Sequence, residues 1–148
     1  MTGKILVLAG LGLLLAGAVR AGEPEVRYYA SDPDLRLPFS DAVRVGNMLY
    51  LSGQVGNLPG STQLAEGGIA GETRQTMENI KASLEKYGSS LDRVVKCTVF
   101  LADIAEWAAM NEVYRTYFPA NPPARSALGA SGLALGARVE IECLATVQ

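Results

Sequence analysis

The chain has 148 residues, with 13 basic and 15 acidic side chains, no histidine and two cysteines. That length suits one domain, and the absence of any basic run argues against nucleic acid as a partner. Without histidine, and with Cys97 and Cys143 as the only thiols, a structural zinc site and a Cys-His or Ser-His nucleophile are excluded, which leaves arginine, carboxylates, hydroxyls and backbone amides to do chemistry.

Lys4 opens an unbroken apolar run, Ile5 to Val19, of 15 residues. A membrane-spanning helix needs roughly 20. Small residues follow at Ala16-Gly17-Ala18 and Val19-Arg20-Ala21. The pattern predicts a signal peptide over 1–21, cut after Ala21, and hence a periplasmic or secreted protein with no stable membrane span after cleavage. Losing Lys4 and Arg20 leaves 11 basic against 15 acidic groups, a charge of about −4. Residues 22–36 read as a polar, proline-containing lead, irregular in its first half, before a domain at 37–148.

In "DAVRVGNMLYLSGQVG" apolar residues alternate on both sides of Gly46-Asn47, a hairpin signal. Strands are expected at about 42–45 and 48–55. A Gly-, Ser- and Pro-rich loop follows, without the pattern of a Walker or Rossmann phosphate loop. Thr73, Met77, Ile80, Leu84 and Tyr87 then keep a helical period, and Gly88 suits a left-handed stop. "VVKCTVFL", Val94 to Leu101, is β-branched and short, as in a buried strand. Asp103 with Glu106 three residues on is a capping-box pattern. Ile104, Trp107, Met110, Tyr114 and Tyr117 make the expected stripe of a second helix, ended by Pro122-Pro123. Strands at about 125–131 and 138–147 close the chain.

The order is β-β-α-β-α-β-β. Helices with one apolar stripe must cover one face of a single sheet, so the class is α/β in the α+β sense. On the last strand Val139, Ile141, Cys143 and Ala145 share one face, while Glu140 and Glu142 share the other with Leu144. That half-polar face suits solvent or a partner subunit.

The pieces "LPFSDAVRVGNMLYLSGQVG", "TRQTMENIKASLEKYGSSLDRVVKCTVFLADIAEWAAMNEVYRTYF", "PPARSALG" and "VEIECLATV" resemble, in order and spacing, the RidA/YjgF family of reactive-intermediate deaminases. The resemblance covers about Leu37 to the end. It implies a chorismate-mutase-like fold and a homotrimer with sites in clefts between subunits. It also implies hydrolysis of 2-imino acids such as 2-iminopropanoate and 2-iminobutanoate to the 2-keto acid and ammonia, with no cofactor and no metal.

Residue by residue, the resemblance makes Arg125 of "PARS" the carboxylate anchor. A planar guanidinium grips a carboxylate through two parallel hydrogen bonds, fixing position and angle together. Spacing alone leaves a structural ion pair open. Glu140, the first glutamate of "VEIE", is implied to hold and activate the attacking water, although Glu142 lies on the same face. Gly53 and the backbone of Ala127 are the implied amide donors on the two walls, Gly53 because a missing side chain permits close approach. Ser52 and Asn111 hold water or orient the cleft, or are simply a strand residue and a helix-surface amide. Phe39 stands where many members have tyrosine, and Ala127 where many have cysteine. Both changes make the cleft less polar. Cys97 and Cys143 fall on strands that the implied fold sets side by side, facing the helices with Val95 and Val99. Buried free thiols are favoured there over a disulfide. The competing class is a non-catalytic trimeric module that binds small carboxylates or a partner protein. A further option is hydrolysis of another enamine or amino-acid derivative.

Overall fold

In the computed structural model, which describes residues 22–31 and 37–147, period-two alternation is clearest in the last strand. Val139, Ile141, Cys143 and Ala145 are fully buried, and the residues between them are half-buried. The expected signal segment at 1–21 lies outside the described residues. The elements in chain order are β1 (Val26–Ala30), β2 (Ser40–Val45), β3 (Met48–Leu51), β4 (Gln54–Val55), α1 (Gly68–Lys86), β5 (Val94–Leu101), α2 (Trp107–Tyr114), β6 (Ala124–Gly129) and β7 (Val139–Thr146). They form one sheet in the order β1-β2-β3-β7-β5-β6, with β4 also paired to β7. The β5–β6 pair is parallel and the others are antiparallel. Both helices pack on one face, as their single stripes require.

The lead is not irregular in its first half: Val26–Ala30 pairs with β2. Tyr29 holds this edge strand down by packing its ring 4.5 Å from that of Tyr87. At the hairpin, Val45 pairs with Met48 across a two-residue loop, and Gly46 takes the positive φ of 58° that the turn demands.

The α1 stripe is the expected one, with Thr73, Met77, Ile80, Leu84 and Tyr87 all buried. Gly88, at φ 82°, ends the helix. Ser89 N donates to Leu84 O (2.8 Å) and Gly88 N to Glu85 O (3.3 Å), the two bonds of a Schellman stop.

The second helix departs from its expected phase. Short 3₁₀ turns flank it at Ile104–Glu106 and Arg115–Tyr117. At three residues per turn they rotate the flanks off a 3.6-residue stripe. Ile104 and Trp107 are therefore exposed, and the buried line is Met110, Tyr114 and Phe118. Asp103 caps the first turn by accepting from Ala105 N (2.9 Å). Glu106 does not close the capping box. It binds the Arg138 guanidinium, while the Arg138 amide donates to the buried Glu72 carboxylate (2.8 Å), pinning β7 to α1.

Two corrections concern the cysteines. Cys97 and Cys143 stand directly opposite each other on β5 and β7, fully buried, and are joined as a disulfide rather than left as free thiols. Val95 does not share their face. A bulge between Val94 and Lys96 turns Val94 inward and Val95 out to solvent.

Candidate functional site

β6 is an edge strand, and parallel pairing sets Arg125 opposite Cys97. Paired residues share a face, so the Arg125 side chain stands on the helix side of the sheet. Among the described residues it forms no ion pair. Its guanidinium carbon lies 4.7 Å from the ring centre of Tyr114 and 5.8 Å from that of Trp107. Cation–π attraction holds the cation by the faces of two rings and leaves its N–H fork unconsumed. A cavity of about 480 Å³ opens beside it, lined by Asn111, Tyr114, Phe118 and three prolines, Pro119, Pro122 and Pro123, with Arg125 itself.

Local sequence explains this placement. Trp107, Asn111 and Tyr114 recur at spacings of four and three along α2, which puts them on one side of the helix. Pro122-Pro123 stops helical continuation and delivers the chain extended into β6. The Tyr114 hydroxyl is buried without a hydrogen-bond partner among the described residues, and burial pushes its pKa up to about 12, with the Arg125 charge opposing the shift. It is a neutral phenol beneath the cation. On helical period alone Trp107 and Tyr114 are expected to be packing residues. The available signal was two aromatics flanking Asn111 on one helix side.

Ala127 shares the Arg125 face, opposite Val99. Ala130 N donates to Leu101 O (2.7 Å), so alternation along β6 turns the N–H of Ala127 away from β5 and out through the sheet edge, where it is open to a ligand. Arg125, Asn111 and Ala127 thus come together.

Glu140 belongs to a second group, on the open face of the sheet, with Phe100 and Val55 as strand neighbours. Gly53 lies against it: a Cβ at that position would overlap the Glu140 carboxylate. The chain can approach so closely because of an extra residue. Tyr50 pairs with Leu144 and Gln54 with Ile141, so four steps on one strand match three on β7, and the surplus falls at Ser52-Gly53. The Ser52 hydroxyl donates to Ser40 O (2.6 Å), which ties it to β2 and leaves its oxygen free to accept. The Phe39 ring is 53% exposed just before β2, and its carbonyl accepts from the Ser31 hydroxyl (3.2 Å). Glu142 shares the open face, opposite Thr98.

One chain therefore carries the expected site residues in two separate groups. The cation, an amide and an outward N–H lie on the helix side, and a carboxylate against a glycine lies on the open side. Within the chain Arg125 and Glu140 stand on opposite faces of the sheet.

Residues 30–147 match the family described as Endoribonuclease L-PSP, and the chain belongs to that family, which includes the RidA/YjgF proteins. It is 44% identical over 108 residues to the mouse protein named 2-iminobutanoate/2-iminopropanoate deaminase, covering 73% of this chain and 80% of that one. The human protein of the same name is likewise 44% identical over 108 residues, covering 73% of this chain and 79% of its own. Among solved structures, RidA from the Antarctic bacterium Psychrobacter is 40% identical, with a TM-score of 0.71 over 75% of this chain and 89% of that one. Yeast Mmf1 is 33% identical, with a TM-score of 0.73 over 82% and 93%.

Proposed function

We propose that the protein hydrolyses 2-imino acids to 2-keto acids and ammonia, in a cleft built from the Arg125 half-site of one copy and the Glu140 half-site of a neighbour. The fork of Arg125 takes the substrate carboxylate through two parallel hydrogen bonds. The N–H groups of Ala127 and Gly53 steady the same end. Glu140 draws a proton from a water as its oxygen attacks the C=N carbon, which forms a C–O bond and pushes the C=N electrons onto nitrogen. The nitrogen takes the first proton back from Glu140 and the second from the new hydroxyl, and the C–N bond breaks as the carbonyl forms, so that ammonia leaves. Every atom of the added water ends in the keto oxygen or in ammonia. Imines hydrolyse unaided in water, so positioning and electrostatic support suffice for catalysis.

The observation that carries this reading is the Arg125 guanidinium, held by ring faces beside a cavity and engaged by no carboxylate of the described residues. The names of the relatives support the same chemistry. To test it, 2-iminopropanoate is generated with an amino-acid oxidase and its decay followed with the native protein and with Arg125→Ala. Acceleration by the native protein alone is expected. Equal decay in every sample removes the reading.

Assembly is part of the proposal. Across the open face Tyr28, Val43, Tyr50 and Leu144 stand in one paired row, a band of apolar side chains suited to covering by further copies. We take the assembly to be a homotrimer, as the resemblance implies. The apolar run Ile5–Val19 supports export of the mature chain. Detection only in cytoplasmic extracts would remove that part.

One observation favours the competing class: the ring at Phe39 lacks a hydroxyl, so the cleft has one polar group fewer than many family members. In a carboxylate-binding module Glu140→Gln would leave ligand affinity and solution behaviour unchanged, with no turnover to lose.

A further inference from the structure

We infer that the Arg125 cavity selects monocarboxylates with a medium-sized or large apolar tail, leucine- or phenylalanine-like, over those with a single methyl. Its kinetic half rests on the hydrolase reading above, and its binding half stands without it.

Volume is the first argument. The half of the cleft that one copy contributes measures about 480 Å³, room for roughly sixteen waters at liquid density before a neighbour's half-site covers its open side. A three-carbon acid clamped on Arg125 covers little of the wall that this copy supplies. The walls are the second. Phe118 packs 5.0 Å from Tyr114, ring centre to ring centre, and Pro119, Pro122 and Pro123 continue the apolar surface. Proline rings have little rotamer freedom to lose, so this wall is set before a ligand arrives.

Charge is the third. The cavity holds a second arginine, Arg115, but Arg115 is already ion-paired with Glu112 one helical turn away. Glu112 offsets the charge of Arg115 at the exposed rim, so the net positive charge against the apolar wall is that of Arg125. A dicarboxylate would press its second charge against rings and prolines, where it would lack a partner. A single carboxylate with a hydrocarbon tail satisfies every wall.

The one tryptophan of the chain gives a readout that does not need turnover. Trp107 sits 5.8 Å from the Arg125 guanidinium, so its fluorescence reports occupancy. The purified protein is titrated with stable 2-keto acids of rising size: pyruvate, 2-oxobutanoate and 4-methyl-2-oxopentanoate. In parallel, kcat/KM is measured for the imines that an amino-acid oxidase generates from alanine and from leucine. A methylene in an apolar pocket is worth roughly tenfold or more. Kd is therefore expected to fall by at least about tenfold from pyruvate to 4-methyl-2-oxopentanoate. The double variant Pro119→Ser/Pro122→Ser, at two exposed wall positions, should flatten the series, and Arg125→Ala should abolish the response to every ligand. A flat or inverted affinity series overturns the inference. If both imines are hydrolysed equally well, the selectivity fails while the hydrolase stands. If neither is hydrolysed but the affinity series holds, the hydrolase fails while the selectivity stands.

Discussion

Arg125 is held by attraction to ring faces, and this decides what it can do. An ion pair would occupy the N–H fork, whereas the rings of Tyr114 and Trp107 hold the cation and leave the fork open. Arg125→Lys keeps the charge and loses the two parallel bonds, so kcat/KM should fall by about 10- to 100-fold. Trp107→Ala removes only a half-exposed cation–π contact, and a loss of about two- to fivefold is expected. Steady-state kinetics on the same imine separates the two. Gly53→Ala puts a methyl into the space of the Glu140 carboxylate and should lower kcat by up to about a hundredfold. Circular dichroism should show that variant still folded. Tyr114 carries a pH signature, because burial raises its pKa from the ordinary 10.0 to about 12. Below pH 10 the phenol is protonated in both folded and unfolded chains, and its contribution is complete. Between pH 10 and 12 the unfolded chain ionises while the folded one holds its proton, so stability drains as pH rises. Urea midpoints across that window should fall, and fall less steeply in Tyr114→Phe.

At the scale of elements, strong periodicity was readable and geometry across elements was not. The α1 stripe, its Gly88 stop and the span of β5 follow from residues within one element. The bulge that turns Val95 outward depends on pairing with β7, and the phase of α2 depends on two 3₁₀ turns that no simple period marks. β1 was missed because Val26 to Ala30, between Pro24 and a polar stretch, acquires its meaning from pairing with β2 and from the Tyr29–Tyr87 contact. The disulfide is of the same kind. Alternation put both thiols on the helix side, but only the register sets them opposite each other. It closes a loop of 46 residues. On the chain-entropy account its loss costs about 4 kcal/mol. Cys97→Ala/Cys143→Ala should therefore unfold at a clearly lower urea concentration while keeping the native fold, since alanine suits a buried apolar site. Equal midpoints for the native and double-variant proteins would show that the cross-link contributes no stability.

For the whole molecule, the arrangement of the site matters more than its membership. The motifs named Arg125, Asn111, Gly53, Ala127 and Glu140, and the fold gathers Arg125, Asn111 and Ala127 at one sheet edge and Gly53 with Glu140 on the open face. What no motif marks is that Arg125 and Glu140 face opposite sides of the sheet, because that follows from the parallel β5–β6 pairing. Catalysis that uses both must join copies. Leu144→Arg, at the β7 end of the apolar row, should leave a monomer in sedimentation that still binds 2-keto acids at Arg125 but no longer accelerates imine decay. A monomer with native turnover would separate assembly from activity.

The most direct measurement mixes two disabled proteins. Arg125→Ala and Glu140→Gln are each expected to be inactive on 2-iminopropanoate. Unfolded together and reassembled in equal amounts, they should regain about a quarter of native activity, because in a cyclic assembly one junction in four pairs an intact Arg125 with an intact Glu140. A mixture as inactive as either variant alone, with reassembly verified by sedimentation, would contradict a site shared between copies.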